Sequence, residues 1–203
     1  TPARLTGYGE TWQNERYTLW AEAVCVQATM FGEVLHLHRR IEADLGGNTI
    51  RLHDRVVNAG FAPTPHMLMY HVNLGYLAAD ERGNVALAVV NDRLAFGLEL
   101  ETRKEQMPCF YQWQNFQAGH YVMGVEPATH HAKGNQFARD RDEMIWLSAG
   151  EARNYSAQFR VLDGGKEIAE STARIMAVQA QPDEDYPRPS GHFAALYGAK
   201  AGA

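Results

Sequence analysis

Apolar and polar residues alternate with period two through most of this chain. From Glu33 to Leu45, Leu35, Leu37, Ile41, Ala43 and Leu45 fall on one face, while His36, His38, Arg40, Glu42 and Asp44 fall on the other. Side chains at i and i+2 share a face of a strand, so this stretch is predicted to be a strand with one buried and one wet side. Arg153 to Leu162 repeats the pattern, with Tyr155, Ala157, Phe159 and Val161 in phase. Further extended runs are predicted at Tyr17–Phe31, Thr49–Val57, His66–Leu74, Val85–Asn91, Leu94–Arg103, Cys109–Phe116, His120–Glu126 and Met144–Leu147.

Turn formers punctuate these runs. Gly46-Gly47-Asn48 and Asn91-Asp92-Arg93 each read as hairpin turns, as does Asp163-Gly164-Gly165-Lys166. Thr1–Arg16 reads as a polar opening, His130–Glu143 as a loop, and Pro127 as the end of the strand before it. No strongly periodic helix stands out. About ten strands separated by Gly, Asn and Asp turns predict an all-β antiparallel sandwich or barrel. The expected organisation is one β-sandwich domain over residues 1–180, lacking its N-terminal strands, and a loosely packed Pro- and Ala/Gly-rich tail over 181–203.

Composition narrows the class. The chain has 203 residues, 45% apolar and 21% charged, with a net charge of −5, which places it among soluble globular proteins. Like charges do not cluster, so neither a nucleic-acid footprint nor attraction to an anionic membrane surface is expected. No apolar run approaches the roughly 20 residues of a spanning helix. Cys25 and Cys109 are the only cysteines and read as free thiols of a cytoplasmic protein. Thr1 is neither an initiator methionine nor the start of a signal peptide, so a processed or truncated start is expected.

Several chemistries find little support. Nine histidines raise the question of a metal. His36-x-His38 followed by Glu42 resembles a cupin first motif, but the flanking glycines do not fit and a second histidine motif is lacking, so a solvated strand face is the simpler reading. There is no G-x-S-x-G elbow and no phosphate-cradling glycine loop, and neither cysteine has an activating neighbourhood. His53 stands beside Asp54, which reads as a turn anchor acting through Asn58.

Two stretches carry more information. In His66–Leu74, His71 and Asn73 share a face, with Tyr70, Val72 and Leu74 opposite. In Gly119–Pro127, Glu126 closes an otherwise apolar strand, where partial burial would tune it towards a general base; an edge glutamate in water is the plainer alternative. Gln112-Trp113-Gln114 sets amides around an indole, the mixture that binds a sugar by stacking and hydrogen bonding.

The runs RRIEADLGGNTIRLHDRVVNAG, PTPHMLMYHVNLGY, QMPCFYQWQ, GHYVMGVEPATHHAKG and LSAGEARNYSAQF resemble the aldose 1-epimerase (galactose mutarotase) superfamily, in a bacterial branch of it, over Phe31–Leu162. The resemblance implies an antiparallel β-supersandwich and catalysis at a sugar's anomeric centre, with His71 as general acid and Glu126 as general base. It implies substrate contacts from Asn73, Gln112, Trp113 and His131, and a bracing role for Asp54 beneath the His71 loop. No metal or other cofactor is implied. The expected partner is a small-molecule sugar, with a homodimer as the assembly to consider. Two departures stand out. An arginine and a histidine that the superfamily carries earlier are absent from this chain, and after Tyr76 the usual proline and long insert give way to Leu77-Ala78-Ala79-Asp80. The superfamily's substrate-binding aspartate has no assigned counterpart. Rival readings are a non-catalytic carbohydrate-binding module on the same sandwich, and a metal-dependent β-barrel isomerase using His36, His38 and Glu42.

Overall fold

A computed structural model describes residues 2–29, 32–70, 78–79, 83–115 and 122–178. Strand formers in alternation build one large antiparallel sheet. Its strands are β1 (Arg4–Gln13), β2 (Arg16–Ala28), β3 (Val34–Asp44), β4 (Thr49–Asn58), β6 (Ala78–Ala79), β7 (Asn84–Asn91), β8 (Phe96–Arg103) and β12 (Ala152–Asp163). They lie in the order β1-β2-β3-β4-β12-β8-β7-β6. Two smaller antiparallel pairs accompany it: β9 (Cys109–Asn115) with β10 (Val122–Ala128), and β5 (Thr64–His66) with β11 (Ile145–Leu147).

The core lies between the large sheet and these pairs. Val56, Leu87, Leu100, Tyr155 and Ala157 from the sheet meet Tyr70, Val125 and Leu147 from the other side, with Leu68, Phe110 and Ile145 packed at the margin. Complete burial of an aliphatic side chain such as Leu100 or Leu147 contributes about 1.5–3 kcal/mol. Layered antiparallel sheets around one core make a β-sandwich, in agreement with the alternation of the sequence.

Several local expectations are corrected. The polar opening contains β1, whose residues are exposed on both faces for most of its length, so it shows no apolar period. Gly7 and Gly9 in β1 make room for Trp20 of β2, since a Cβ on Gly9 would stand 3.0 Å from the indole. The loop at His130–Glu143 contains a short helix, α1 (Gly134–Asp140), of which only Ala138 is buried. Strand β10 runs through Pro127 to Ala128, because its register with β9 continues to the Ala128–Cys109 pair.

The largest correction follows β12. Gly165-Lys166 does not turn a hairpin but opens helix α2 (Gly165–Val178), which packs on β7, β8 and β12. The attachment combines the buried Ile175 with a polar contact: the Ser171 hydroxyl and the Arg174 guanidinium both donate to Glu99, a fully buried carboxylate of β8. Burial pushes the Glu99 pKa upward, but its bonds with Ser171 and Glu101 and the charges of Arg160 and Arg174 outweigh that, and the carboxyl sits below the ordinary range. Among the described residues, no helix is long and apolar enough to cross a membrane. Cys25 and Cys109 are free thiols.

Candidate functional site

The β9–β10 hairpin sorts its side chains by register. Glu126 is the Cα partner of Tyr111 and Gly124 that of Trp113, so Glu126, Tyr111 and Trp113 share one face. With only a glycine across from it, the indole lies open and is 51% exposed, while Glu126 is half-buried. The opposite face carries Val125, which is wholly buried, and Phe110 at the edge of the core. Gln112 projects on this second face and donates from Nε2 to the sulfur of Met123 at 3.2 Å. The hairpin therefore brings Glu126 and Trp113 together and sets Gln112 apart from them, as strict alternation requires of residues adjacent in sequence.

His131 belongs with the first face. Its Nδ1 lies 2.8 Å from the Tyr111 hydroxyl, which also accepts the Ala132 N–H at 2.9 Å. The imidazole meets the Tyr111 ring edge-on and the Phe137 ring of α1 edge-on. Its neighbour His130 has another task. It is buried, with Nδ1 2.8 Å from the Thr129 hydroxyl and Nε2 between the Glu143 carbonyl at 2.9 Å and the Ile145 N–H at 3.1 Å, so it ties the chain after β10 to β11. Burial lowers its pKa, keeping the ring neutral.

A third segment runs along the free edge of β10. Residues Met69 and Ala128 form an antiparallel bridge. The Tyr70 N–H donates to the Pro127 carbonyl at 3.0 Å, and the Thr129 N–H donates to the Leu68 carbonyl at 2.9 Å. Thr129 adds a side-chain clamp, its hydroxyl accepting the Leu68 N–H at 2.8 Å. Tyr70 immediately precedes His71 in sequence, and Pro127 immediately follows Glu126. His71 and Asn73 themselves lie outside the described residues.

Tyr70 is in turn held from the large sheet. Its hydroxyl donates to Oδ2 of Asp54 at 3.0 Å, and Asp54 receives two bonds from Arg39, Nε to Oδ1 at 2.8 Å and Nη2 to Oδ2 at 2.6 Å. Asp54 is 2% exposed, and the Arg39 guanidinium also lies 5.8 Å from the centre of the Tyr70 ring. A bidentate guanidinium–carboxylate pair is among the stronger side-chain contacts. Burial, followed by the negative charge of Asp54, pushes the Tyr70 pKa far above its ordinary value, so the hydroxyl remains a donor. Asp54 thus anchors the residue before His71. It does not act through Asn58, which instead closes its own turn by bonding the Ala62 and Leu147 carbonyls and the Gly60 N–H.

The same polar layer continues through Tyr155, whose Cα partner is Asp54. Its hydroxyl lies 3.0 Å from Nε2 of His66, a residue 2% exposed. Burial, then the positive charge of Arg153, then His130, pushes the His66 pKa down to about 4.

The metal reading loses its donor set. Glu42 is engaged by Arg40 at 2.7 Å and by Arg51 at 3.5 Å, with the exposed His53 at 3.8 Å. His36 and His38 stand with ring centres 6.2 Å apart on the outer face of β3. Among the described residues no group of three or more His, Cys, Asp or Glu side chains is placed to hold a metal ion.

Arg39, Tyr70 and Tyr111 carry no motif, and for Arg39 and Tyr111 the alternation along the strand gives the face but not the partner. Arg39 falls in phase with Leu37 and Ile41, and Asp54 in phase with Leu52 and Val56, which puts opposite charges at core-facing positions of adjacent strands. Tyr111 falls in phase with Trp113 along β9.

The architecture is that of the galactose mutarotase-like fold. A candidate aldose 1-epimerase from Klebsiella pneumoniae superposes with a TM-score of 0.76 and 18% identity, over 84% of this chain and 57% of that one. A galactose mutarotase-like protein from Clostridium acetobutylicum gives a TM-score of 0.52 and 10% identity, over 79% and 66% of the two chains. The Slr1438 protein from Synechocystis gives 0.56 and 14%, again over 79% and 66%. This chain therefore spans a little over half the length of the Klebsiella protein. No curated protein matches it. The chain belongs to the family described as a domain of unknown function (DUF4432), whose profile matches residues 1–76 and 76–161. The two matched stretches meet at Tyr76, where the sequence departs from the pattern of the superfamily that it resembles.

Proposed function

We propose that this chain carries the acid–base pair of a sugar 1-epimerase, with His71 as the acid and Glu126 as the base. The observation that supports this most is the hydrogen bond from the Tyr70 N–H to the Pro127 carbonyl, which ties together the residues adjoining the two candidates. The likeness in fold to the Klebsiella protein described as a candidate aldose 1-epimerase is consistent with it. In the reaction, the Glu126 carboxylate takes the proton of the anomeric hydroxyl while protonated His71 gives one to the ring oxygen. The C1–O5 bond breaks, the aldehyde turns about the C1–C2 bond, and closure on its other face returns both protons and yields the second anomer. General acid–base assistance of about 10²–10⁴-fold per group suffices for a reaction that already proceeds in water.

Trp113, open on the Glu126 face, supplies the stacking surface, and His131, in contact with the Tyr111 hydroxyl, a polar contact. Asn73 is the further contact proposed from the sequence. Gln112, on the other face, has no part in this reading.

Polarimetry of freshly dissolved α-D-galactose and α-D-glucose tests the proposal. The protein is expected to speed the approach to anomeric equilibrium, and Glu126→Gln and His71→Asn to reduce that acceleration at least about 100-fold each. Undiminished interconversion in either variant would sink the assignment. Sugar binding without any acceleration would favour the carbohydrate-binding reading, which the open indole of Trp113 also suits.

A further inference from the structure

We propose that the outer face of the large sheet carries a second binding site, one that takes the phosphate group of a small hydroxylated ester on Arg55. A cavity of about 560 Å³ opens on that face, bordered by His38, Arg40, His53, Arg55, Asn154 and Ser156. Strand register brings these side chains together: Arg55 is the Cα partner of both His38 and Asn154, and His53 is that of both Arg40 and Ser156. Side chains at i and i+2 share a face, so two adjacent rows cross β3, β4 and β12 on one side of the sheet. Asp54 and Val56 alternate with these residues and are buried on the core side, which puts the cavity on the far side of the sheet from the core. The Glu126 face lies beyond the opposite layer, because Val125, next to Glu126, is in the core. The two sites are therefore separate.

Charge sets Arg55 apart from the other arginines of this face. Arg40 meets Glu22 at 2.6 Å, Arg51 meets Asp44 at 2.9 Å, and Arg160 meets Glu101 at 3.5 Å. Among the described residues Arg55 has no ion pair and no side-chain hydrogen bond, and it is exposed. Two carboxylate residues border the cavity, and both are engaged elsewhere: Glu22 by Arg40, and Asp54 on the core side by Arg39 and Tyr70. His53 has Glu42 at 3.8 Å and His38 has the His36 ring centre at 6.2 Å, and both imidazoles still border the cavity. A planar guanidinium with free donors matches phosphate oxygens in a bidentate way. The imidazole, amide and hydroxyl groups around it suit the hydroxyls of a polyol better than an apolar body. The volume is in the range of small-molecule sites.

The test is isothermal titration of the full chain with glycerol 3-phosphate, inorganic phosphate and glycerol, at about 150 mM salt so that unspecific attraction is screened. Saturable binding of glycerol 3-phosphate is expected, with inorganic phosphate at least about tenfold weaker and no binding of glycerol. Arg55→Ala, which removes no ion pair or hydrogen bond of the folded chain, is expected to weaken the ester about tenfold or more. Asn154→Asp, which sets a negative charge across from Arg55, is expected to abolish binding. Arg93→Ala, in the exposed turn after β7, is expected to leave the affinity unchanged. The absence of saturable binding, equal affinity for inorganic phosphate, or full affinity in Arg55→Ala would overturn the proposal. An equal loss in Arg93→Ala would overturn it too, since net charge alone would then account for the effect. No anomer interconversion is measured, so the result stands apart from that of the 1-epimerase assay.

Discussion

The Tyr70 hydroxyl donates to Oδ2 of Asp54 at 3.0 Å, joining the segment that leads to His71 to the centre of the large sheet. Asp54 is itself gripped at both oxygens by Arg39. The candidate acid is thus approached from a residue fixed twice, through its side chain to Asp54 and through its backbone to Pro127.

Breaking that anchor is expected to cost stability as well as activity. Asp54→Asn leaves a partly buried guanidinium without its countercharge and should destabilise the fold by about 3 kcal/mol. Tyr70→Phe loses one bond to a charged acceptor, about 1.5 kcal/mol. Urea unfolding followed by tryptophan fluorescence measures both. A change below about 0.5 kcal/mol for Asp54→Asn would show that the network carries no weight.

The buried imidazole of His66 makes stability depend on pH. Its pKa is near 6.5 in the unfolded chain and about 4 in the folded one, so the unfolded state takes up a proton first as pH falls. The contribution is therefore fully present above pH 6.5, is lost progressively between 6.5 and 4, and amounts to roughly 3 kcal/mol at most. His66→Gln should flatten the stability profile over that interval. An identical slope in the two proteins would refute the assignment.

Trp113 and Gln112 lie on opposite faces of β9. Trp113→Ala is expected to weaken D-galactose binding about tenfold, the usual worth of a stacked aromatic. Gln112→Ala should change it less than twofold, since its amide reaches Met123 on the opposite face. Isothermal titration with both variants checks this, and a larger loss from Gln112→Ala would invert the proposed orientation of the site.

The strands were legible wherever one face meets the core. β3, β4 and β12 alternate because Leu37, Val56 and Tyr155 point inward while their neighbours meet water. β1 has no such contrast, being exposed on both faces, and the buried stripe of α2 mixes Ile175 with the polar Ser171, which bonds to Glu99, so the stripe does not read as purely apolar. In the candidate site, Glu126 is legible as a glutamate closing an apolar strand and Trp113 as an indole between two amides. Tyr111, Arg39 and Tyr70 act through partners distant in sequence, and a pairing across 15 or more residues becomes visible only once strand register is known.

Whether His71 and Glu126 work as one unit is decided by a double-variant cycle on anomer interconversion. If they do, His71→Asn combined with Glu126→Gln is no slower than the worse of the two single variants, because removing either partner already disables concerted proton transfer. Losses that multiply, so that the double variant falls by the product of the single effects, would show that His71 and Glu126 act independently and do not form an acid–base pair.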